Sequence, residues 1–272
     1  SRPIRKAGPV LGSSVECIIG LSAAGWQGLN LANNHSFDHG AHGLKETMAT
    51  IRGAGLSFVG AGLNIEEAQA PLIREIEGQR VIIYSMAEHE FSVADHNTSG
   101  ANPLDLMDFI NAVRKHKEHG FFIALIHGGM EDNPYPSPEM VKRCRFMVEM
   151  CADAVICCHA HCPQPWELHS GRPIIYGLGN LVFELTGEPE AFHVGYLARL
   201  DVGGGQVHLN VIPYTQSQQR PGAHRMNGIE SAKFMMDMGT KNRHILDENF
   251  MREHWKRHCL QHRIDYLASL FG

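Results

Sequence analysis

Short apolar segments alternate with segments of helical periodicity along the first two thirds of the chain. Apolar runs or alternating apolar residues predict strands at 28–32, 56–59, 72–76, 80–86, 121–126, 154–157, 174–176, 181–183, 196–202 and 206–211. Apolar residues at intervals of three and four predict helices at 41–52, 104–119 and 138–150, and a helical tail at 229–270. This order predicts an α/β layered fold of mixed sheets flanked by helices. We expect one domain at 1–222 and a helical C-terminal extension at 223–272.

The composition excludes several classes of protein. The chain has 272 residues, of which 43% are hydrophobic and 19% are charged, as is typical of a globular protein with a sizeable core. No apolar run reaches the roughly 18 residues of a transmembrane helix, so no membrane span is predicted. The formal net charge of −5 argues against a nucleic-acid binder that neutralises phosphates.

Histidine is abundant, at 18 of 272 residues, and several histidines lie in polar segments that follow predicted strands. These segments are 33–40, 127–132 and 158–162. Ligands of open α/β sheets bind beyond the carboxyl ends of the strands, and neutral imidazole is the commonest metal ligand. The three segments together therefore predict a metal site, in which Asn and carboxylate oxygens complete a set of N and O donors.

These residues also have ordinary structural interpretations. A single His after a strand is more often capped or solvated than bound to a metal. Five further histidines are predicted to lie on solvated helix faces: His116, His119, His254, His258 and His262. Three cysteines (Cys157, Cys158 and Cys162) leave a structural zinc site open, although their spacing is not that of paired C-x₂-C motifs.

The polar segments resemble those of the CapA/PgsA capsule-synthesis proteins. Residues 31–40, Leu-Ala-Asn-Asn-His-Ser-Phe-Asp-His-Gly, are similar to the ANNHxxDxG signature of that family. The similarity continues in order through Gly60-Ala-Gly-Leu-Asn64, His127-Gly-Gly-Met-Glu131 and His159-Ala-His161. It closes at Ile175–Phe183, which is similar to the family's YSLGNFVF. Each motif alone is weak evidence, whereas the ordered set is specific.

The resemblance implies the fold of the calcineurin-like metallophosphoesterases and a link to poly-γ-glutamate or capsule synthesis. It implies that Asn34, His127 and His159 bind one divalent ion. His161 would reach a second ion, and His35 would donate a proton or stabilise the transition state. One or two divalent transition metal ions are expected, with Mn, Fe and Zn as candidates.

The same resemblance gives Asp38 two possible roles. Its carboxylate orients His35 through a hydrogen bond, or it caps the helix that follows. Five residues are expected at the rim of the site: Glu88, His89, Glu90, Glu131 and Asn180.

The sequence departs from the family in two places. Cys158 and Ala160 stand where the family's HHPH segment has His and Pro. The family's GD strand and acidic NLE segment, which supply carboxylates to the metal pair, lie upstream of the first residue. We therefore expect N-terminal strands of the family fold to be missing.

Two functions of different classes fit these observations. One is a metal-dependent hydrolase that acts on a phosphoester or an envelope polymer, with a small-molecule or polymer substrate. The other is a non-catalytic assembly component that retains a vestigial metal site. A domain built around a Cys/His zinc site is a third hypothesis. The seven cysteines and the lack of a visible signal peptide favour the bacterial cytoplasm, whereas the family favours the envelope. The oligomeric state is left open.

Overall fold

A computed structural model describes residues 2–6, 8–89, 92–183, 190–217 and 220–271. The chain divides into two compact units. Unit 1 comprises Ser1–Gly128, Met147–Cys157 and Val202–Val207, and unit 2 comprises Gly129–Phe146, Cys158–Asp201 and His208–Gly272. The predicted division at residue 222 stays a prediction.

The described residues form helices and strands in mixed order, which confirms the predicted α/β class. The helices are α1 (Cys17–Ala23), α2 (Gly40–Gly53), α3 (Ile65–Ala68), α4 (Leu106–His116), α5 (Pro138–Glu149), α6 (Gly228–His244) and α7 (Glu248–Phe271). The strands are β1 (Gly28–Asn30), β2 (Ser57–Val59), β3 (Ala61–Gly62), β4 (Leu72–Ile76), β5 (Gln79–Ala87), β6 (Gly100–Ala101), β7 (Phe121–His127), β8 (Ala154–Cys158), β9 (Trp166–His169), β10 (Arg172–Ile175), β11 (Val194–Gly203), β12 (Gln206–Ser217) and β13 (Arg220–Arg225).

Strands of unit 1 run in the order β4-β5-β7-β8. The strands predicted at 72–76 and 80–86 form β4 and β5, which pair as an antiparallel hairpin, and β7 pairs parallel to β5. Strand β7 is buried along most of its length, as its continuous apolar run predicts. Phe122 of β7 packs against Phe109 of α4 in an edge-to-face contact with a centroid distance of 5.9 Å.

A second set of apolar residues in unit 1 surrounds the parallel pair of β1 and β2. Helix α2 buries the predicted stripe of Leu44, Met48 and Ile51 against Leu31 and Leu56. Because this packing fixes the chain where β1 ends, it also positions the polar segment that leads from β1 to α2.

Unit 2 contains the antiparallel hairpin of β9 and β10 and most of the sheet β11-β12-β13. Glu167 of β9 is buried and forms a bidentate ion pair with Arg145, with both N–O distances 2.8 Å. The hydroxyl of Tyr176 donates a third hydrogen bond to Glu167 at 2.6 Å. These three side chains connect α5 to the hairpin and the segment that follows it.

The predicted strand at 181–183 is wrong, because this segment forms bends. A side chain takes the place of a neighbouring strand as a hydrogen-bond partner of its backbone. The N–H of Phe183 donates a hydrogen bond to Gln216 Oε1 at 2.7 Å. Six of the elements given above (α1, α3, β3, β6, β9 and β13) escaped prediction, because each is too short or lacks a pattern. Helix α1 has no buried residue, β9 is only four residues long, and β13 contains Pro221 and Gly222.

The predicted helical tail is confirmed and consists of two helices, α6 and α7. Asn227 and Glu230 form a capping box at the start of α6. Asp247 accepts hydrogen bonds from the N–H groups of Asn249 and Phe250, which begins α7. In the part of the chain that the structure describes, neither these helices nor any other could cross a membrane.

The prediction of solvated histidines on helices is correct only in part. His262 is exposed, whereas His116, His254 and His258 are half-buried because their helices pack against other segments. The side chain of His119 lies outside the described part of the structure.

Candidate functional site

The three polar segments begin where strands end, as the sequence predicts. The first follows β1 and leads into α2, the second starts at the last residue of β7, and the third follows β8. The structure brings their side chains together in two groups, one in each compact unit. The predicted sharing of one ion by Asn34, His127 and His159 stays a prediction.

In unit 1, Asn34 meets His127. The Nε2 atom of His127 lies 3.0 Å from Oδ1 of Asn34, whose side chain is buried. An amide oxygen is an acceptor, so this geometry places the ring proton of His127 on Nε2. An imidazole nitrogen and an amide oxygen are both ligand atoms for divalent metal ions. The two predicted ligands of this unit therefore lie next to each other.

Beside this pair, Asp38 holds the ring of His35. The Nδ1 atom of His35 lies 2.7 Å from Asp38 Oδ2, and Lys6 Nζ lies 2.6 Å from Asp38 Oδ1. The N–H of Leu11 also donates to Oδ2, at 2.8 Å. The carboxylate thus bonds to these three groups, whereas the residue before α2 is His39, without a side-chain cap. Orientation of His35, and not helix capping, is what the geometry of Asp38 supports.

The balance of forces on Asp38 favours its ionised form. Burial raises the pKa of the carboxyl, but hydrogen bonds from Lys6, His35 and Leu11 outweigh burial and hold the pKa below its usual range. An ionised Asp38 requires a proton on Nδ1 of His35, so Nε2 is the atom left to exchange a proton with a substrate.

In unit 2, Glu131, His159 and His161 form a group of three potential metal ligands whose donor atoms all lie within 4.8 Å of one another. The Nε2 atoms of His159 and His161 lie 3.4 and 3.9 Å from Glu131 Oε1. Two imidazole nitrogens and one carboxylate oxygen are a donor set that fits Zn, Mn or Fe. Glu131, expected only at the rim, is thus part of the group.

Asn180 orients one of these ligands. Its Oδ1 lies 2.9 Å from Nδ1 of His161, and its Nδ2 donates to the carbonyl of His161 at 2.9 Å. Because Nδ1 carries the proton, the lone pair of His161 is on Nε2, the atom near Glu131. Asn180, also expected at the rim, therefore orients a potential ligand directly.

The backbone of this group is held in unusual conformations. His159 and His161 have φ values of 119° and 56°, and Asp132 has a φ of 56°. Such values cost about 1–3 kcal/mol each in residues other than glycine and concentrate at functional sites. The N–H of Asp132 donates to the carbonyl of Ala160 at 2.9 Å, which joins the two loops that carry the three ligands.

The remaining rim residues vary in their placement. The N–H of Glu88 donates to the carbonyl of His127 at 2.9 Å, which places Glu88 beside a predicted ligand. His89 is exposed, and Glu90 lies outside the described residues. Lys6 is the residue that sequence reasoning missed. It lies 32 positions from Asp38 in an irregular segment, where no pattern could have indicated the contact.

The cysteines do not support a structural zinc site. Within the described residues, Glu131, His159 and His161 form a group of three potential metal-ligating side chains, and no cysteine belongs to such a group. Burial raises the pKa of the Cys162 thiol to about 11, which opposes the thiolate that zinc requires. Its Sγ donates to the carbonyl of Asn133. Cys162 is therefore a buried structural thiol.

Comparison with known proteins finds similarity to one family. The model of the bacterial capsule synthesis protein PGA_cap matches residues 2–185. The capsule biosynthesis protein CapA of Bacillus anthracis is 29% identical over 78% of this chain and 53% of its own. The PGA biosynthesis protein CapA of Bacillus subtilis is 32% identical over 57% of this chain and 42% of its own.

A probable polyglutamine synthesis accessory protein of Mycobacterium tuberculosis is 31% identical over 70% of this chain and 56% of its own. The chain thus spans about half the length of the curated relatives that it matches.

Proposed function

The chain belongs to the bacterial capsule synthesis protein PGA_cap family, and on that premise we propose that it acts in capsule or poly-γ-glutamate biosynthesis as a metal-dependent hydrolase. Its substrate is a phosphoester or a bond of an envelope polymer. The observation that carries this proposal is the group of Glu131, His159 and His161, whose donor atoms lie within 4.8 Å of one another.

Each compact unit offers ligands for a divalent ion. Glu131, His159 and His161 would hold one ion in unit 2, while Asn34 and His127 contribute the ligand atoms of unit 1. Such an ion supplies Lewis-acid stabilisation of the negative charge that develops on the oxygens of a phosphoryl or carbonyl group. One or two ions of Mn, Fe or Zn suit these donors.

The protein side chains supply the proton transfer. His35 donates a proton from Nε2 to the leaving oxygen, and Asp38 holds the ring through Nδ1 and stabilises its positive charge before transfer. Lys6 is a positioning residue, because its contact of 2.6 Å holds one oxygen of Asp38 while the other meets His35.

Metal analysis combined with hydrolysis tests this function. The purified chain is analysed by inductively coupled plasma mass spectrometry and assayed with nitrophenyl phosphate esters and γ-linked glutamate oligomers. We expect bound metal and hydrolysis in the wild type, and loss of the ion of unit 2 together with hydrolysis in His159→Ala. His208→Ala is the matched control, because His208 is an exposed residue of unit 2. Metal binding without hydrolysis of any substrate would favour the non-catalytic assembly hypothesis. Full hydrolysis by a metal-free His159→Ala variant would refute metal dependence.

A further inference from the structure

Unit 2 contains a cavity of about 390 Å³ that is separate from the three ligands. It lies between residues 132–134 and α7, whose side chains His254, Arg257, His258, Gln261 and His262 line it. This volume is within the range of roughly 300–1,000 Å³ typical of ligand pockets. None of these helical side chains has a role in the proposed hydrolysis.

A buried donor without a partner lines this cavity. Asn133 is only 1% exposed, and its Oδ1 accepts from the N–H of Tyr135 at 3.0 Å and from Nε2 of His254 at 2.9 Å. These two donors fix which side-chain atom is the oxygen. The amide nitrogen Nδ2 is buried and has no hydrogen-bond partner. Its two N–H groups therefore require an acceptor that the protein does not provide.

A second buried polar atom lies along the same cavity. Nε2 of His258 is buried and also lacks a hydrogen-bond partner, while its ring stacks on Trp255 at 5.3 Å. Leaving a buried polar atom unsatisfied costs about 1–3 kcal/mol. Asn133 and His258 both line the cavity, and a ligand bound there would complete the hydrogen bonds of these two atoms.

The lining determines the chemistry of that ligand. Asn133 Nδ2 and the Arg257 guanidinium can only donate, so the ligand must offer acceptor atoms. Arg257 attracts an anion and repels a metal cation. Asp132 offsets part of this positive charge, which favours a singly charged carboxylate over a doubly charged phosphate. Gln261 adds an amide that can both donate and accept.

We infer that this cavity, the α7 pocket, binds a carboxylate-bearing segment of an acidic amino-acid polymer next to the metal ligands. The inference rests on the proposed function for the identity of the polymer. Only one residue separates Asn133 from Glu131, so their Cα atoms lie at most about 7 Å apart. The pocket thus lies beside the loop that carries Glu131.

Calorimetric titration of the full chain in the presence of a metal chelator tests the pocket without hydrolysis. The probes are γ-linked tetraglutamate, the same γ-linked tetrapeptide with its carboxylates converted to carboxamides (a γ-linked tetra-isoglutamine), and inorganic phosphate. We expect tetraglutamate to bind and the other two to bind at least tenfold more weakly. Arg257→Gln and Gln261→Glu alter exposed residues that the fold tolerates, and each should weaken tetraglutamate binding about tenfold. Arg252→Gln is the matched control, since it removes the same charge from an exposed position of α7 outside the pocket.

The outcomes separate this inference from the proposed function. Tetraglutamate binding that Arg257→Gln and Gln261→Glu leave unchanged overturns the pocket, as does tighter binding of phosphate or no binding at all. His159→Ala should retain tetraglutamate binding in chelator. Loss of metal and hydrolysis in His159→Ala, with the titration unchanged, therefore supports both proposals independently. A wild type without metal that still binds tetraglutamate through Arg257 overturns the hydrolase and keeps the pocket.

Discussion

His127 Nε2 lies 3.0 Å from Asn34 Oδ1, although 93 positions separate the two residues along the chain. The contact joins the segment after β1 to the end of β7 and brings the two potential ligand atoms together. His127 and Asn34 cannot form this hydrogen bond while they share a metal ion. The proton on Nε2 of His127 must leave before that nitrogen can bind an ion. We therefore expect the contributions of Asn34 and His127 to metal affinity to depend on each other.

Asn34→Ala and His127→Ala are expected to lower metal affinity by amounts that do not add. Each single substitution removes one ligand from the same ion. The metal affinity of the double variant should therefore be only slightly lower than that of whichever single variant binds metal more weakly. Competition with a fluorescent zinc chelator measures all four affinities. Additive losses would show that Asn34 and His127 act on different ions or on none. Asn210→Ala, at an exposed position of β12, provides the control.

Asn180→Ala is expected to weaken metal binding about 10- to 100-fold, the usual effect of removing a group that orients a ligand. Without Asn180 Oδ1, Nδ1 of His161 has no fixed proton and the ring no fixed direction. The same competition assay measures the loss, and Asn180→Asp should recover much of it because a carboxylate also accepts from Nδ1. Affinity that stays at the wild-type value in Asn180→Ala would show that His161 is not a ligand.

The sequence predicts the elements of this site better than it predicts their contacts. Apolar runs locate β7 and β8, because both strands are largely buried and their sequences show this directly, and an apolar run also locates the half-buried β1. The motifs then place Asn34, His127 and His161 at strand ends. What the sequence does not contain is the partner of each side chain. Asn180 meets His161 only because an irregular segment folds back, and that segment resembled a strand.

The sequence also does not predict the contacts of the irregular N-terminal segment and of the last helix. Lys6 is 3% exposed and reaches Asp38 from a segment without periodicity. His258 was predicted to be solvated because charged residues surround it in sequence, yet one of its nitrogens is buried. Burial of a polar side chain depends on which segment packs over it. No local pattern encodes that information.

Glu167→Gln is expected to lower the free energy of unfolding by about 3 kcal/mol, because it leaves Arg145 without its counter-charge in a largely buried setting. Urea denaturation followed by circular dichroism measures the change. Asp201→Asn breaks an exposed ion pair with Arg199 and should cost less than about 1 kcal/mol. Equal effects of the two substitutions would contradict the structural role of Glu167.

Stability is expected to fall as the pH drops below 6.5. Burial, followed by repulsion from Arg257, lowers the pKa of His254, and burial together with His262 and His254 lowers that of His258. The unfolded chain therefore binds more protons than the folded chain below pH 6.5. The loss of folding stability is complete once the pH lies below the lowered pKa values of His254 and His258 in the folded chain.

Urea denaturation at pH 7.5 and 5.5 measures this difference. The double variant His254→Gln, His258→Gln should show a smaller loss between the two pH values, since glutamine does not titrate and still donates to Asn133. The exposed His208→Gln should behave as the wild type. A wild-type loss that the double variant retains in full would assign the pH dependence to other groups.

Asp38→Asn is expected to slow hydrolysis about 10²- to 10⁴-fold while metal content stays unchanged. An amide at position 38 can donate to Nδ1 of His35, which moves the ring proton to Nε2 and removes the charge that stabilises the imidazolium. The loss of activity should be largest for an alkyl phosphate ester, whose leaving oxygen needs a proton, and small for a nitrophenyl ester, whose leaving group does not.

A variant that only disturbs the fold slows the hydrolysis of both esters equally and lowers metal content. Asp201→Asn controls for the loss of a carboxylate elsewhere. Equal slowing of the two esters would therefore reject the proton-transfer role of His35 and Asp38.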